Sequence, residues 1–202
     1  KDLSWLHSYQ KVKIINSGYN TKNTQLWSDD WLNNVCSKTE LLKKLITEQD
    51  LPIVMIDVDC MFVKDFYQDL DMNNDVEVCY REGHQVPYIG SFVSINKKKE
   101  GLIFLNEWIE TIKKIKGVPK ESPALSKICK ENNIKLKIKK LEERTICAYC
   151  DSEEMKLWNS KIVHFKSRKN SSSFKDDFID RTISRGFKNY IEDYVNVQSY
   201  IS

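Results

Sequence analysis

Hydrophobic positions recur every three or four residues in three parts of the chain, a spacing that predicts amphipathic helices. These parts are 41–46, 102–115 and 178–187. Ser37 and Glu40 form a capping-box pattern, so the first helix is predicted to span about 38–48. Gly117 is placed to end the second helix. A further helix is predicted from Pro123 to about Asn132.

Strands are predicted where apolar residues alternate with polar ones or run together over a few positions. The predicted segments are 12–15, 51–56, 76–80, 92–95, 134–138 and 162–165. The run 51–56 is apolar throughout, as in a strand buried on both faces of a parallel sheet. Gly83, Pro87 and Gly90 predict a loop between two of the strands. The predicted strands alternate with predicted helices along the chain. We therefore predict an α/β fold with a mixed, mostly parallel central sheet flanked by helices.

The composition fits a single folded domain over residues 1–202. Of the 202 residues, 41% are hydrophobic and 30% are charged, which is typical of globular and not of disordered chains. The run 51–56 is far shorter than the roughly 20 residues of a membrane span. The net charge is only +3, and the basic residues are scattered among apolar ones. We therefore predict neither a membrane span nor nucleic-acid binding.

Six cysteines at irregular spacings argue against the disulfide framework of a small secreted domain. Cys147 and Cys150 have the spacing of half a zinc site, but no second pair in the sequence completes it. We therefore predict buried free thiols, no structural zinc, and a reducing cytoplasmic location.

Two carboxylates follow the apolar run 51–56 directly, in the segment Asp57-Val58-Asp59. Unpaired buried carboxylates are costly, and ligands of open α/β sheets bind at the carboxyl ends of strands. Mg²⁺ and Mn²⁺ use one or two protein carboxylates and complete their shells with water and substrate phosphates. A helix N-cap or a solvated turn is the structural alternative. We predict that this pair binds a divalent cation.

The segment 53–65, which contains this pair, resembles the Asp-any-Asp motif of nucleotide-sugar glycosyltransferases with the GT-A fold. In that superfamily the pair holds Mn²⁺ or Mg²⁺, which bridges the two phosphates of the donor. Segment 90–95 is similar to the strand that lines the donor sugar, and 162–165 to a late strand whose histidine completes the metal shell. The resemblance covers about 10–170. The usual first strand has no counterpart before Trp5, and we expect it to lie outside this chain.

The resemblance implies a GT-A domain that transfers a sugar from a nucleoside diphosphate sugar, with UDP as the expected nucleotide, to a glycan, glycoprotein or other hydroxyl acceptor. The implied ligands of Mn²⁺ or Mg²⁺ are Asp57, Asp59 and His164. The residues expected to bind the donor are Lys38, Asp57, Gly90, Ser91, Lys166, Arg168 and Lys169. An inverting reaction also needs a carboxylate base, and the sequence does not choose among Asp151, Glu82 and Glu121.

His164 and the basic residues after it have structural alternatives. A lone histidine at the end of an apolar strand is more often a structural residue than a metal ligand. Lys166, Arg168 and Lys169 follow it and would otherwise belong to a solvated loop. A departing diphosphate needs positive charge, which these residues and a metal ion supply. The combination favours donor binding.

Two other functions stay open at this point. A phosphatase of the haloacid-dehalogenase type would use Asp57 as nucleophile and Asp59 as general acid. That signature has Thr or Val where this chain has Met61. A non-catalytic domain of the same fold would bind glycans or partner proteins. Donor hydrolysis with added Mn²⁺ distinguishes the transferase from both.

Overall fold

The computed structural model describes residues 28–49, 52–57, 60–62, 64–149 and 160–164. The helices in these ranges are α1 (Asp29–Glu48), α2 (Lys98–Lys114), α3 (Glu121–Glu131) and the short α4 (Glu143–Ile146). The strands are β1 (Ile53–Ile56), β2 (Cys60–Phe62), β3 (Val76–Tyr80), β4 (Tyr88–Ile95), β5 (Ile138–Glu142), β6 (Cys147–Tyr149) and β7 (Ile162–His164). A 3-10 turn spans Tyr67–Asp69. Among the described residues, no helix is both long and apolar enough to cross a membrane.

The described strands form two small sheets. The larger sheet has the order β1-β4-β3-β5, and the smaller one has the order β2-β7-β6. In the larger sheet β4 is antiparallel to both β1 and β3, and β3 is parallel to β5. The predicted α/β class with a mixed sheet flanked by helices is confirmed. The pairing differs from the mostly parallel sheet expected, because a short loop joins β3 to β4 and allows them to form an antiparallel hairpin.

The apolar run before Asp57 forms β1, but its burial differs from the prediction. All four residues of β1 are half-buried, and β4 is its partner among the described strands. A strand buried on both faces was expected from the continuous apolar run. The difference arises because β1 is the outermost strand of the described sheet, so one of its long sides has no described neighbour.

Two hydrophobic clusters lie against the larger sheet. The helices α1, α2 and α3 contribute to the first cluster, in which Ile46, Trp108 and Leu125 are fully buried beside β3 and β4. The second cluster includes Phe92 of β4 and Ile162 of β7. The larger sheet is therefore covered by helices in one cluster and by the smaller sheet in the other.

Several element boundaries differ from the predictions. The helix α1 begins nine residues earlier than predicted, and the Ser37 hydroxyl donates to the Asn34 carbonyl inside the helix, so the predicted capping box is wrong. Strand β4 begins at Tyr88, which places Gly90 in the strand and not in a loop. Strand β5 begins at Ile138, after a loop, and not at 134. The predicted strand 12–15 and helix 178–187 lie outside the described residues.

Gly117 does not end α2 as predicted, because the helix ends at Lys114, but three further predictions are confirmed. Strand 76–80 has the predicted bounds, and the α2 helix includes all of the predicted periodic positions except Ile115, which is its C-cap. Helix α3 ends at Asn132, whose φ of 41° places it in the left-handed region. Strand β7 covers Ile162–His164 of the predicted segment 162–165, and residue 165 lies outside the described residues.

Candidate active site

Asp57 follows β1 and lies at the carboxyl edge of the larger sheet. Its backbone N–H donates to the Ser91 carbonyl at 3.3 Å, which extends the β1–β4 pairing by one residue. The strands β1, β3 and β5 all end at this edge, because β1 and β3 are both antiparallel to β4 and β5 is parallel to β3. Ligands of α/β sheets bind at such edges. Asp57 is therefore placed where the sequence predicted a ligand-facing carboxylate.

A single lysine of α1 joins Asp57 to a second carboxylate. The Lys38 Nζ atom lies 2.8 Å from Asp57 Oδ1 and 3.1 Å from Glu121 Oε1. The side chains of Lys38, Asp57 and Glu121 are 22%, 27% and 9% exposed. We call these three residues the Lys38 cluster. Because one ammonium faces two carboxylates, the cluster keeps a net negative charge when all three groups are ionised, and it therefore attracts cations.

The ionisation of the Lys38 cluster follows from burial and from the neighbouring charges. Burial alone would lower the pKa of Lys38, but the charges and hydrogen bonds of Glu121 and Asp57 outweigh it and raise that pKa above its ordinary value. Burial raises the pKa of Glu121, and the charge of Asp57 adds to this effect against the opposing influence of Lys38. Lys38 therefore remains an ammonium at neutral pH, whereas Glu121 takes up a proton more readily than an exposed glutamate does.

The Glu121 carboxylate occupies space that β4 leaves open at a glycine. A Cβ atom placed on Gly90 would overlap Glu121 Oε1 and would lie 2.8 Å from its Cδ. The Trp108 indole N–H donates to the Glu121 carbonyl at 3.0 Å, and the Ser122 hydroxyl donates to Oε2 at 3.1 Å. A glycine inside a strand often marks such a close approach. In the sequence, Gly83 and Pro87 indicate a loop here and hide the strand position of Gly90.

His164 ends β7 and faces the carboxylate of Asp57. Its side chain is 5% exposed, and Nε2 lies 3.8 Å from Asp57 Oδ2, the oxygen that Lys38 does not hold. Ligands at about 2.1 Å from an octahedral ion lie about 3 Å apart when adjacent and about 4.2 Å apart when opposite. The observed separation falls between these values. Asp57 and His164 are therefore close enough to reach one divalent cation, although 3.8 Å is not an ideal octahedral separation.

The structure brings only some of the predicted site residues together. Five of them lie next to one another, namely Lys38, Asp57, Gly90, Glu121 and His164. The Ser91 side chain is buried and approaches the Cys79 thiol, and only its carbonyl contacts Asp57. Glu82 is exposed in the loop after β3, at the same edge of the sheet. The residues Asp59, Asp151, Lys166, Arg168 and Lys169 lie outside the described residues.

Two cysteines that are far apart in sequence meet beside His164. The Cys60 and Cys147 Sγ atoms lie 4.0 Å apart across a separation of 87 residues. One ligand atom from each of Cys60, Cys147 and His164 lies within 4.8 Å of the other two. The predicted buried free thiols are confirmed for Cys79, Cys129 and Cys147, Cys60 is buried as well, and Cys36 is only half-buried. Sequence spacing gave no signal for the meeting, and Cys150 lies outside the described residues.

A cavity of about 520 Å³ lies between α1 and β1 and reaches the Lys38 cluster. Its polar lining side chains are Asn34, Lys38 and Asp57, and its other lining residues are apolar. A largely apolar cavity with a few polar groups at one end is typical of ligand sites. The Lys38 cluster therefore borders a space of ligand size.

Two comparisons relate this chain to known proteins. The family model of nucleotide-diphospho-sugar transferases matches residues 4–178. Among solved structures, the chain is similar to a glycosyltransferase involved in the glycosylation of the major capsid of PBCV-1, with a TM-score of 0.59 and 8% identity over 81% of this chain and 80% of that chain. At this identity the likeness shows the fold alone. No curated protein matches the chain.

The family match favours the transferase over the phosphatase that the sequence left open. It covers most of the chain, including Asp57, Glu121 and His164. Members of the family are generally metal-dependent, which suits the carboxylates and the imidazole found at this edge. The chain thus belongs to the nucleotide-diphospho-sugar transferase family and is a glycosyltransferase of GT-A-like fold.

Proposed function

We propose that this protein transfers a sugar from a UDP-sugar to a glycan or another hydroxyl acceptor, with a divalent cation held by Asp57, Asp59 and His164. The observation that carries this proposal is the arrangement at the carboxyl edge of β1. There Lys38 holds one oxygen of Asp57, and the other oxygen faces His164 Nε2 at 3.8 Å. The family supports a nucleotide-sugar donor and a glycan acceptor.

The proposed cation is Mn²⁺ in preference to Mg²⁺. The described ligand atoms are one carboxylate oxygen and one imidazole nitrogen, and Mg²⁺ prefers a shell of oxygen atoms alone. When bound, the ion would stabilise the negative charge that develops on the departing diphosphate. Asp57 contributes by presenting a single oriented oxygen, because its other oxygen is fixed by the lysine.

Lys38 and Glu121 are proposed to position Asp57. Lys38 Nζ lies 3.1 Å from Glu121 Oε1, so Glu121 holds the ammonium group at the distance from which it bonds Asp57. Glu121 is only 7% exposed, and its carboxylate packs against Gly90. These contacts support a positioning role better than the role of a base that meets an acceptor hydroxyl. Glu82 and Asp151 then remain as candidate bases if the reaction inverts the sugar configuration.

The basic residues after β7 are proposed to contact the diphosphate. Lys166, Arg168 and Lys169 follow His164 by two to five positions in the sequence. Charge-assisted contacts to phosphate are each worth roughly 1.5 to 3 kcal/mol. Replacing the best placed of the three by alanine is therefore expected to weaken UDP binding by about tenfold or more.

Calorimetric titration of the protein with UDP, with and without Mn²⁺, tests this function. We expect Mn²⁺-dependent binding of UDP, and slow hydrolysis of a UDP-sugar under the same conditions. The matched control is Lys113→Met, since Lys113 is exposed and pairs with Glu110 of the same helix α2. This control should bind UDP as the parent does, whereas Lys38→Met should bind it more weakly. UDP binding that is independent of metal would contradict the proposed cation site.

A further inference from the structure

The smaller sheet places three potential metal ligands on one of its faces. Cys60 of β2 is directly opposite His164 of β7, and Cys147 of β6 is opposite Ile162 of β7. Because side chains alternate along a strand, Ile162 and His164 point to the same face of β7. The opposing residues Cys60 and Cys147 therefore share that face with the imidazole. Burial is nearly complete, at 9%, 0% and 4% exposure for Cys60, Cys147 and His164.

Strand order argues against a disulfide between the two thiols. The strands β2 and β6 lie on either side of β7, and neighbouring strands are about 4.8 Å apart. The backbones of β2 and β6 are therefore about 9.6 Å apart, beyond the roughly 7 Å that a disulfide allows between Cα atoms. The thiols nevertheless converge to 4.0 Å. Two thiols that approach each other from separated backbones are placed to bind one metal ion between them.

The dimensions of this group match a zinc ion. With Zn–S bonds of about 2.3 Å, two sulfur ligands of a tetrahedral ion lie about 3.8 Å apart. The observed Sγ–Sγ distance is 4.0 Å, and the imidazole nitrogen lies within 4.8 Å of both sulfur atoms. Thiolate and imidazole ligands favour Zn²⁺ over Mg²⁺ or Mn²⁺. Within the described residues these three side chains are the protein ligands of the group, and a tetrahedral ion takes one ligand more.

We propose that Cys60, Cys147 and His164 form a zinc site, and that zinc bound there competes with the donor metal for the His164 imidazole. The competition rests on the proposed function, in which His164 Nε2, 3.8 Å from Asp57 Oδ2, ligates the donor metal. Zinc binding converts both thiols to thiolates, and their protons pass to water. An Nε2 atom that binds zinc has no lone pair left for the donor metal. Zinc thereby acts as an inhibitor of metal-dependent donor binding.

Titration of the metal-free, reduced protein with Co²⁺, followed by Zn²⁺, tests the site. We expect thiolate-to-cobalt charge-transfer absorption that saturates at one equivalent and disappears when zinc displaces cobalt. Cys147→Ala should weaken cobalt binding by more than about tenfold and remove this absorption. The matched control is Cys129→Ala, since Cys129 is also buried but belongs to the other hydrophobic cluster. Absent thiolate-to-cobalt absorption in the parent protein would overturn the site, as would an unchanged spectrum in Cys147→Ala.

The competition is tested by titrating UDP into the Mn²⁺-loaded protein with and without one equivalent of Zn²⁺. We expect zinc to weaken UDP binding by about tenfold in the parent and in Cys129→Ala, and to have no effect in Cys147→Ala. If Cys147→Ala does not fold, Cys60→Ala serves the same purpose. Unchanged UDP affinity in a zinc-loaded parent would overturn the competition. Cobalt binding through thiolates without any Mn²⁺-dependent UDP binding would support the zinc site and contradict the proposed function instead.

Discussion

Two groups of acidic side chains lie at opposite edges of the larger sheet and use their carboxylates differently. Asp57 follows β1, whereas Asp75 precedes β3, which runs parallel to β1. We call Asp71, Asp75 and Glu77 the Asp75 cluster. Its carboxylates accept backbone N–H bonds of 3.0, 2.8 and 3.0 Å from Asn73, Lys137 and Asp71 respectively. Within the described residues, the carboxylates of the Lys38 cluster are bonded by side chains instead.

Both clusters contain lysine–carboxylate ion pairs. The two clusters therefore differ in whether backbone N–H groups also bond the carboxylates. Lys97 Nζ lies 2.7 Å from Asp75 Oδ1, and Lys139 Nζ lies 3.0 Å from Glu77 Oε1. Backbone N–H groups are fixed by the fold, and a carboxylate bonded to them is committed to the structure. A lysine side chain can rotate away when a ligand arrives. The Asp75 cluster therefore stabilises the fold, whereas the Lys38 cluster keeps its bonding capacity for a ligand.

The largest effect is expected from Asp57→Asn. The amide cannot replace the carboxylate as a ligand of a divalent cation, so turnover of the UDP-sugar should fall by about a hundredfold or more. The melting temperature of the metal-free protein should change little, because Lys38 keeps Glu121 as a partner. Steady-state assays and thermal unfolding of the same preparation measure both effects. A large loss of stability with unchanged turnover would place Asp57 with the structural carboxylates.

The reverse pattern is expected from Asp75→Asn. Asp75 is 6% exposed, and the substitution weakens its bonds to Lys97 and to the Lys137 N–H. Charged hydrogen bonds of this kind are worth roughly 1.5 to 3 kcal/mol each, and Lys97 is partly exposed to solvent. The free energy of unfolding should therefore fall by about 2 kcal/mol, as measured by urea denaturation. Turnover per folded molecule should match that of the parent, and a selective loss of turnover would contradict the comparison.

Two glycines allow the same substitution to be made near the site and in the core. In Gly90→Ala the new methyl group would displace the Glu121 carboxylate from Lys38, so Mn²⁺-dependent UDP affinity should fall by about tenfold. In Gly101→Ala the methyl group would overlap Ile95 in the core and should cost about 1 to 3 kcal/mol of stability. UDP affinity of the folded Gly101→Ala protein should be unchanged. Equal effects of the two substitutions on UDP affinity would show that Gly90 has no special role.

Local patterns predicted most of the described elements but misplaced the starts of α1, β4 and β5. Ser28 followed by Asp29 and Asp30 was an available signal for the start of α1, and the Leu32 N–H does donate to the Ser28 carbonyl. The Ser37 pattern was misleading because capping pairs also occur inside helices. In 134–138 the alternation suggested a strand, yet Asn132 bonds both backbone groups of Leu136 and forms a loop there. The hydrogen bonds of Asn132 to the backbone thus keep this segment in a loop, although its apolar and polar residues alternate as in a strand.

The site was predicted in part, because sequence shows which residues end a strand but not which strands meet. The motif at 57–59 and the strand ending at His164 placed Asp57 and His164 correctly at strand ends. The bridge from Lys38 to Glu121 joins the first helix to the third, a contact for which no local spacing exists. The Cys60 and Cys147 thiols meet only because β2 and β6 both flank β7. Contacts of this kind depend on strand order, which a single sequence does not reveal.

The smallest effect is expected in the pH dependence of stability, where the two clusters should have opposite signs. Backbone and lysine hydrogen bonds outweigh burial and lower the pKa of Asp75 below 3.8, so its stabilisation is present above that pH. It should be lost as the pH falls through the lowered pKa. Burial and the charge of Asp57 raise the pKa of Glu121 above 4.5. Between 4.5 and that raised pKa the folded state holds a proton that the unfolded state releases, so the unfolding free energy should decrease as the pH rises.

Urea denaturation of the metal-free protein at a series of pH values measures these slopes. The parent should be more stable than Asp75→Asn above pH 3.8. This difference should shrink below pH 3.8, because Asp75 takes up a proton first in the unfolded state. Relative to Glu121→Gln, the parent should lose stability as the pH rises above 4.5, since the glutamine cannot ionise. Parallel pH profiles for the parent and Glu121→Gln would mean that Lys38 fully compensates the burial of Glu121. The Glu121 carboxylate would then be held as firmly as Asp75, and the contrast between the two edges of the sheet would rest on Asp57 alone.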